Sequence, residues 1–171
     1  MRGGQENDRL VAEIVRAAGG RIIGRVRLQK IFYLLDKIGL QSGFDYEYHY
    51  YGPYSAELVD AVDDAKAFDL LKESMHHRAS DGVQYSVFEE PGVALSGSIG
   101  SLPQRDVERA LALMQRETAT VLEIAATINW LEVEEGFSDW RPELVRRKRS
   151  KAEADTVDRA VNLLRDLGLE H

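Results

Sequence analysis

Apolar residues recur along the first third of the chain at two different periods. Leu10, Val11, Ile14, Val15 and Ala18 fall at helical spacing and predict a first helix. Asn7 or Asp8 would cap it, and Gly19 with Gly20 would end it. Arg21, Ile22 and Ile23 form a short extended link. From Gly24 onward, Leu28, Ile31, Phe32, Leu35 and Ile38 stand at i, i+3, i+4 and i+7. That spacing predicts a second helix with one buried face, stopped at Gly39. The period then changes to two. Phe44, Tyr46, Tyr48 and Tyr50 share one parity, and Asp45, Glu47 and His49 the other, which predicts a half-buried aromatic strand. Gly52 and Pro53 are expected to stop that strand, because proline has no N–H for a ladder. Ser55 then takes the N-cap position of a third helix over residues 56–67, with Glu57 in its first turn and Leu58, Val62 and Ala65 along its buried side.

Residues 68–73 lead into a further strand, and Asp81-Gly82 marks the turn to its partner. In that partner Val83, Tyr85 and Val87 alternate with Gln84 and Ser86. Helix, helix, strand, corner, helix and hairpin in this order predict a winged-helix-like lobe over residues 1–98. Residues 89–103, rich in Gly, Ser and Pro, read as a surface linker. A helical lobe over residues 102–168 follows, packed on the first. Val107, Leu111 and Met114 make one stripe, and Val121, Leu122, Ile124, Ala125, Ile128 and Leu131 a stronger one. Pro142 suits the first turn of a short helix, and Ser150 with Glu153 matches a capping box for the last one. Gly168 closes that last helix. Residues 169–171 match the start of a vector-encoded hexahistidine tail. The fold class expected is therefore α+β, mostly helical, with a small antiparallel sheet.

Composition narrows the function classes. The chain has 171 residues, 44% of them hydrophobic, enough for one domain or a domain with a sub-lobe. No run approaches the ~20 apolar residues that cross a bilayer, and no h-region follows Met1. A cytoplasmic protein without membrane contact is expected. Cysteine is absent, which excludes disulfides, thiolate zinc sites and cysteine nucleophiles. The net charge is −7, from 22 basic and 29 acidic side chains, and disfavours polyanion binding over the whole surface. It leaves room for a local basic patch.

Two motifs stand close together: GRVRLQKIFYLL over residues 24–35 and YHYYGPYSAEL over residues 48–58. In combination they resemble the YwgA-like proteins, relatives of the SocA-like Panacea domain, in which a G-R-x-R-L-Q-K helix precedes an aromatic strand ending in Y-G-P-Y-S. LEIAATINWL, residues 122–131, and the last helix look like that family's C-terminal half, so the likeness covers nearly the whole chain. The resemblance implies antitoxin-like or adaptor-like binding of a protein, a toxin among the candidates. It implies no catalytic residues and no cofactor.

The residues themselves offer four candidate sites. Glu57, Asp60, Asp63 and Asp64 make the outer face of the third helix acidic, which suits a basic partner and opposes the reading of a DNA groove. Beside it, Tyr51, Tyr54 and Ser55 lie at the corner where a partner can reach them, whereas Tyr46, Tyr48 and Tyr50 are expected to pack on the sheet face. Arg21, Arg25, Arg27 and Lys30 cluster near the start of the second helix, and Arg141, Arg146, Arg147, Lys148, Arg149 and Lys151 in the C-terminal lobe. These two groups carry the alternative, a nucleic-acid-binding regulator. His49, His76, His77 and Asp81 lack metal-ligand spacing, and no nucleophile–base motif is present. Glu132, Glu134 and Glu135 crowd a helix end with no basic partner in view. The expectation is a non-enzymatic binding protein that grips a protein partner through the corner and the acidic helix.

Overall fold

The computed structural model describes residues 4–170. His171 and residues 1–3 lie outside the described residues, and with them one end of the expected tail and of the first lobe. Seven α-helices and three small antiparallel sheets are present among the described residues, a mostly helical α+β fold.

The helix α2, Arg25–Lys37, is the axis of the fold. Residues 28–35 are buried without interruption, so α2 is enclosed on every side rather than along one stripe. Gln29, Lys30, Tyr33 and Leu34 are the positions the helical period assigned to solvent and the structure takes inside. Against it pack α4 (Gln104–Gln115) and α5 (Ala119–Asn129), while α1 (Gly4–Ala17) packs on α3 (Ala56–Ala67) and α4. α5 packs against α2 on one side, and against α6 (Arg141–Lys148) and α7 (Ala154–Asp166) on the other. It is buried from Val121 to Asn129. Burial of each of Ile31, Phe32, Leu34 and Leu35 contributes roughly 1.5–3 kcal/mol.

Strand β1 (Arg21–Ile23) joins the hairpin of β4 (Lys72–His77) and β5 (Gln84–Glu89) in the order β1-β5-β4, with Ile22 opposite Phe88 and Met75 opposite Ser86. The central strand departs from strict alternation. Ser86, Val87 and Phe88 are buried in succession because β1 and β4 flank β5 while α1 and α2 close over the sheet, and Val83 is exposed in the turn.

The aromatic stretch is not one long strand. β2 (Glu47–His49) turns at Tyr50-Tyr51 and returns as β3 (Gly52–Tyr54), pairing Tyr48 with Pro53 and His49 with Gly52. Gly52 and Pro53 therefore form the return strand rather than ending the first. Proline is tolerated there because this two-stranded ribbon is all edge. A third hairpin, β6 (Ser98–Ile99) and β7 (Leu102–Pro103), occupies the segment expected to be a surface linker. Ile99 is fully buried there, and Ser101 N–H donates to Leu40 O at 3.0 Å.

Two helix boundaries differ from expectation. α1 begins upstream of Asn7 and Asp8, so neither caps it. Asp8 is buried in its body, and desolvation aided by nearby Asp64 raises its carboxyl pKa. α7 has Glu153 at its N-cap with no side-chain cap, while Ser150 sits in a 3-10 turn at Arg149–Lys151. α5 is capped by Thr118, whose Oγ1 accepts Val121 N–H at 3.1 Å, and passes into a π-helical turn at Trp130–Glu134. One apolar cluster joins Leu10, Phe32, Leu58 and Phe88 to Leu111, Ile124, Leu144 and Leu164, so no gap in the interior falls between residues 98 and 102. The chain end belongs to that cluster too. Gly168 N–H donates to Arg165 O and Leu169 N–H to Leu164 O, closing α7 with Leu169 tucked in.

Candidate functional site

The corner between β3 and α3 is fastened by α2. Gln29 Nε2 donates to Ser55 O and its Oε1 accepts Ser55 N–H, both at 2.9 Å and both buried. Ser55 Oγ accepts Leu58 N–H at 3.2 Å, capping α3. Lys30 Nζ donates to Pro53 O at 2.6 Å. Gly52, at φ +92°, lies so near α5 that a Cβ would stand 2.9 Å from Thr127 Oγ1. The glycine is required here both by conformation and by close approach.

Held from behind, the hairpin throws its tip outward. Tyr50 is 81% exposed, and its ring meets that of exposed Tyr51 edge-on at 5.0 Å. The expectation that Tyr50 packs on the sheet is corrected, because the turn falls at Tyr50 itself and takes it off the strand. Tyr46 and Tyr48 do pack: Tyr46 Oη donates to Asp36 Oδ2 at 2.7 Å, its ring stands edge-on to Tyr33, and Tyr48 lies against Trp130. Burial, and then the facing Asp36 carboxylate, push the Tyr46 hydroxyl pKa upward. Tyr54 stacks on His49 at 4.4 Å.

Glu57, Asp60, Asp63 and Asp64 are exposed along α3, and Glu57 Oε1 accepts Asp45 N–H at 2.8 Å. Asp63 meets Tyr51 and Tyr54 at an apolar cavity of about 180 Å³ that also takes in Leu58, Val62 and Phe88. Ser55 is the exception among the expected contact residues. It is 1% exposed and committed to Gln29 and Leu58, so it serves the corner's geometry and offers a partner nothing.

The basic residues fare differently. Arg21, Arg25, Arg27 and Lys30 do not form one surface cluster. Arg25 reaches Glu73 at 2.9 Å, which also accepts from Lys66 and Ser86. Burial opposes ionisation of Glu73, but these donors outweigh it and hold the carboxyl below its usual range. Arg27 turns toward Met114 O at 3.4 Å. Arg21 is exposed on β1. Lys30 is 1% exposed, and desolvation lowers its pKa to about 8. The C-terminal group is gathered, but against carboxylates. Arg146 and Arg147 pair with Glu143, and Arg147 also meets Glu135 at 2.7 Å and covers the Tyr48 ring at 4.7 Å. Lys148 Nζ donates to Glu123 at 2.8 Å and to Tyr50 O at 3.0 Å, and Lys151 reaches the same Glu123 at 3.1 Å.

Two corrections follow. Glu134 and Glu135 do have basic partners, Lys37 and Arg147, supplied from distant chain segments. Glu123 was missed entirely. Its one signal is its place as the lone acid in the apolar run LEIAATI. The histidines disperse: His76 stacks on Tyr85, His77 meets Gln84 at 3.1 Å, and Asp81 pairs with Arg78. Among the described residues no group of three or more His, Asp or Glu side chains could hold a metal ion, and no helix is long and apolar enough to cross a membrane.

No family model matches the chain. It is similar to the uncharacterized protein YwgA of Bacillus subtilis (strain 168), 24% identical over 149 residues, which cover 86% of this chain and 89% of that protein. A match of that length takes in the corner and α3.

Proposed function

We propose that this chain is a non-enzymatic binding protein of the antitoxin or adaptor kind. It occludes or delivers a protein partner gripped by the corner and α3. One observation carries the reading: Tyr51, Tyr54 and Asp63 meet at one apolar cavity beside a row of exposed carboxylates. A cavity of that size takes a single apolar side chain, the arrangement of an anchor pocket. The carboxylates Asp60, Asp63 and Asp64 suit basic residues flanking that anchor, and the net charge of −7 would steer them in. The Panacea-type relationship and the winged-helix-like order of the first lobe are part of the same proposal and rest on the motifs of residues 24–35 and 48–58. A cytoplasmic site of action belongs to the proposal as well.

The alternative is a nucleic-acid-binding regulator using the Arg and Lys groups. It is weakened by the burial of Lys30 and by the carboxylates of Glu73, Glu135 and Glu143, which pair with Arg25, Arg146 and Arg147. Affinity capture from native lysate separates the two. The proposed reading expects a protein that survives nuclease treatment, is released by salt, and is lost with the Asp60→Lys/Asp63→Lys double variant and with Tyr51→Ala. Capture that nuclease abolishes, or that neither variant affects, overturns it.

A further inference from the structure

The second cavity of interest lies on the other side of the β2–β3 hairpin. It is a cleft of about 820 Å³ between that hairpin and the α6 end with its 3-10 turn. Its size falls within the range of small-ligand sites. Glu123 lies at its base, almost wholly buried, and accepts from both Lys148 and Lys151. Lys30 stands near enough to feel the charges of all three. Two ammonium groups, Lys148 and Lys151, therefore share one carboxylate, while Lys30 donates to Pro53 O nearby. Buried charge is stable only when balanced, so this cluster carries more positive charge than the protein itself compensates. Arg149 adds to the surplus. It is exposed, takes no part in the Glu135 and Glu143 pairs, and holds φ +50° and ψ −117°, a backbone conformation that L-residues rarely adopt. Strain of that kind is retained where the residue's placement matters.

We propose that this cleft binds a mononucleotide, with its phosphate held by Lys148, Lys151 and Arg149 and its base stacked on Tyr50. A phosphate offers acceptor oxygens and negative charge, which lysine and arginine donors match. Lys148 donates to Glu123 and Tyr50 O and keeps one N–H, while the half-buried Lys151 donates to Glu123 and keeps more for a ligand. Tyr50 lines the same cleft with its ring open to solvent, and aromatic faces take nucleobases. A long polyanion fits less well: Glu135 and Glu143 lie beside the cleft on Arg147 and Arg146, where an extended backbone would meet carboxylates.

Calorimetric titration of the intact chain at low salt tests this with adenosine monophosphate, inorganic phosphate and adenosine as probes. The monophosphate is expected to bind and to be displaced by phosphate, while adenosine alone binds far more weakly. Arg149→Gln and Lys151→Gln, both at partly or fully exposed positions, should each weaken the monophosphate by about tenfold, the value of one charged hydrogen bond. Tyr50→Ala should weaken the monophosphate and leave phosphate unchanged. Absence of binding by both the monophosphate and phosphate at millimolar concentration overturns the proposal, as does binding indifferent to Arg149→Gln and Lys151→Gln. Equal affinity for phosphate and monophosphate overturns the assignment to nucleotides. Arg149→Gln leaves Asp63 and Tyr54 untouched, so protein capture by that variant reports on the other surface independently.

Discussion

The Tyr33 hydroxyl donates to Asn129 Oδ1 at 2.8 Å, and both groups are buried. The bond ties the middle of α2 to the end of α5, where the helix widens into its π turn. It crosses from one half of the chain to the other through a shared interior, and burial raises the Tyr33 hydroxyl pKa so that it stays a donor.

Tyr33→Phe leaves Asn129 Oδ1 buried without its donor. The loss should be about 1–3 kcal/mol, the cost of one unsatisfied buried acceptor. Urea denaturation followed by tryptophan fluorescence and by far-UV circular dichroism checks it. Both probes should report one coincident transition, shifted to lower urea, because Trp130 and Trp140 share the single core with α1 and α2.

Lys30 links stability to alkaline pH. Its pKa falls from 10.5 in the unfolded chain to about 8 in the fold, chiefly through desolvation. Between those values the unfolded chain binds more protons, so stability rises with pH across the window. The rise from this group is of order 2–3 kcal/mol. Lys30→Met should flatten the difference in unfolding free energy between pH 7.5 and 9.5, values inside or just below that window. A wild type whose stability falls over the same interval while the variant's stays level would contradict the assignment.

At Gly52 two costs combine. An alanine Cβ would press on Thr127 Oγ1 at 2.9 Å in a left-handed backbone. Gly82 has a similar backbone, φ +72°, with open space around it. Gly82→Ala should therefore cost only the conformational strain, about 1–2 kcal/mol. Gly52→Ala should cost clearly more, by an added 1–3 kcal/mol of overpacking, read as a lower Tm in the same scan.

Ser55 and Tyr51 flank β3 and should behave oppositely. Ser55→Ala removes the α3 cap and should lower stability by about 1 kcal/mol, with partner capture intact once folded. Tyr51→Ala should leave the urea midpoint within about 0.5 kcal/mol of wild type and reduce capture. Equal effects of both changes on folding would make Tyr51 a structural residue only.

Much of this could be read from local pattern. The α3 cap at Ser55, the acidic run behind it and the apolar stripes of α4, α5 and α7 depend on spacing along one element, which periodicity reports directly. Tyr51, Tyr54 and Asp63 were legible as surface residues for the same reason. Ser55 was misassigned because a cap residue and a contact residue look alike until Gln29 arrives from another helix.

The chain by itself determined the mostly helical α+β class, the start of α3 at Ser55 and the negative face of α3. These follow from backbone preferences and from charge, both local properties. Tertiary structure alone decided that α2 is enclosed on all sides, that Lys30 lies inside, and that Glu123 answers Lys148 and Lys151 across 25 to 28 residues of sequence. The physical reason is desolvation. Whether a polar side chain meets water or a partner depends on which distant segment closes over it, and no period along the chain encodes that closure.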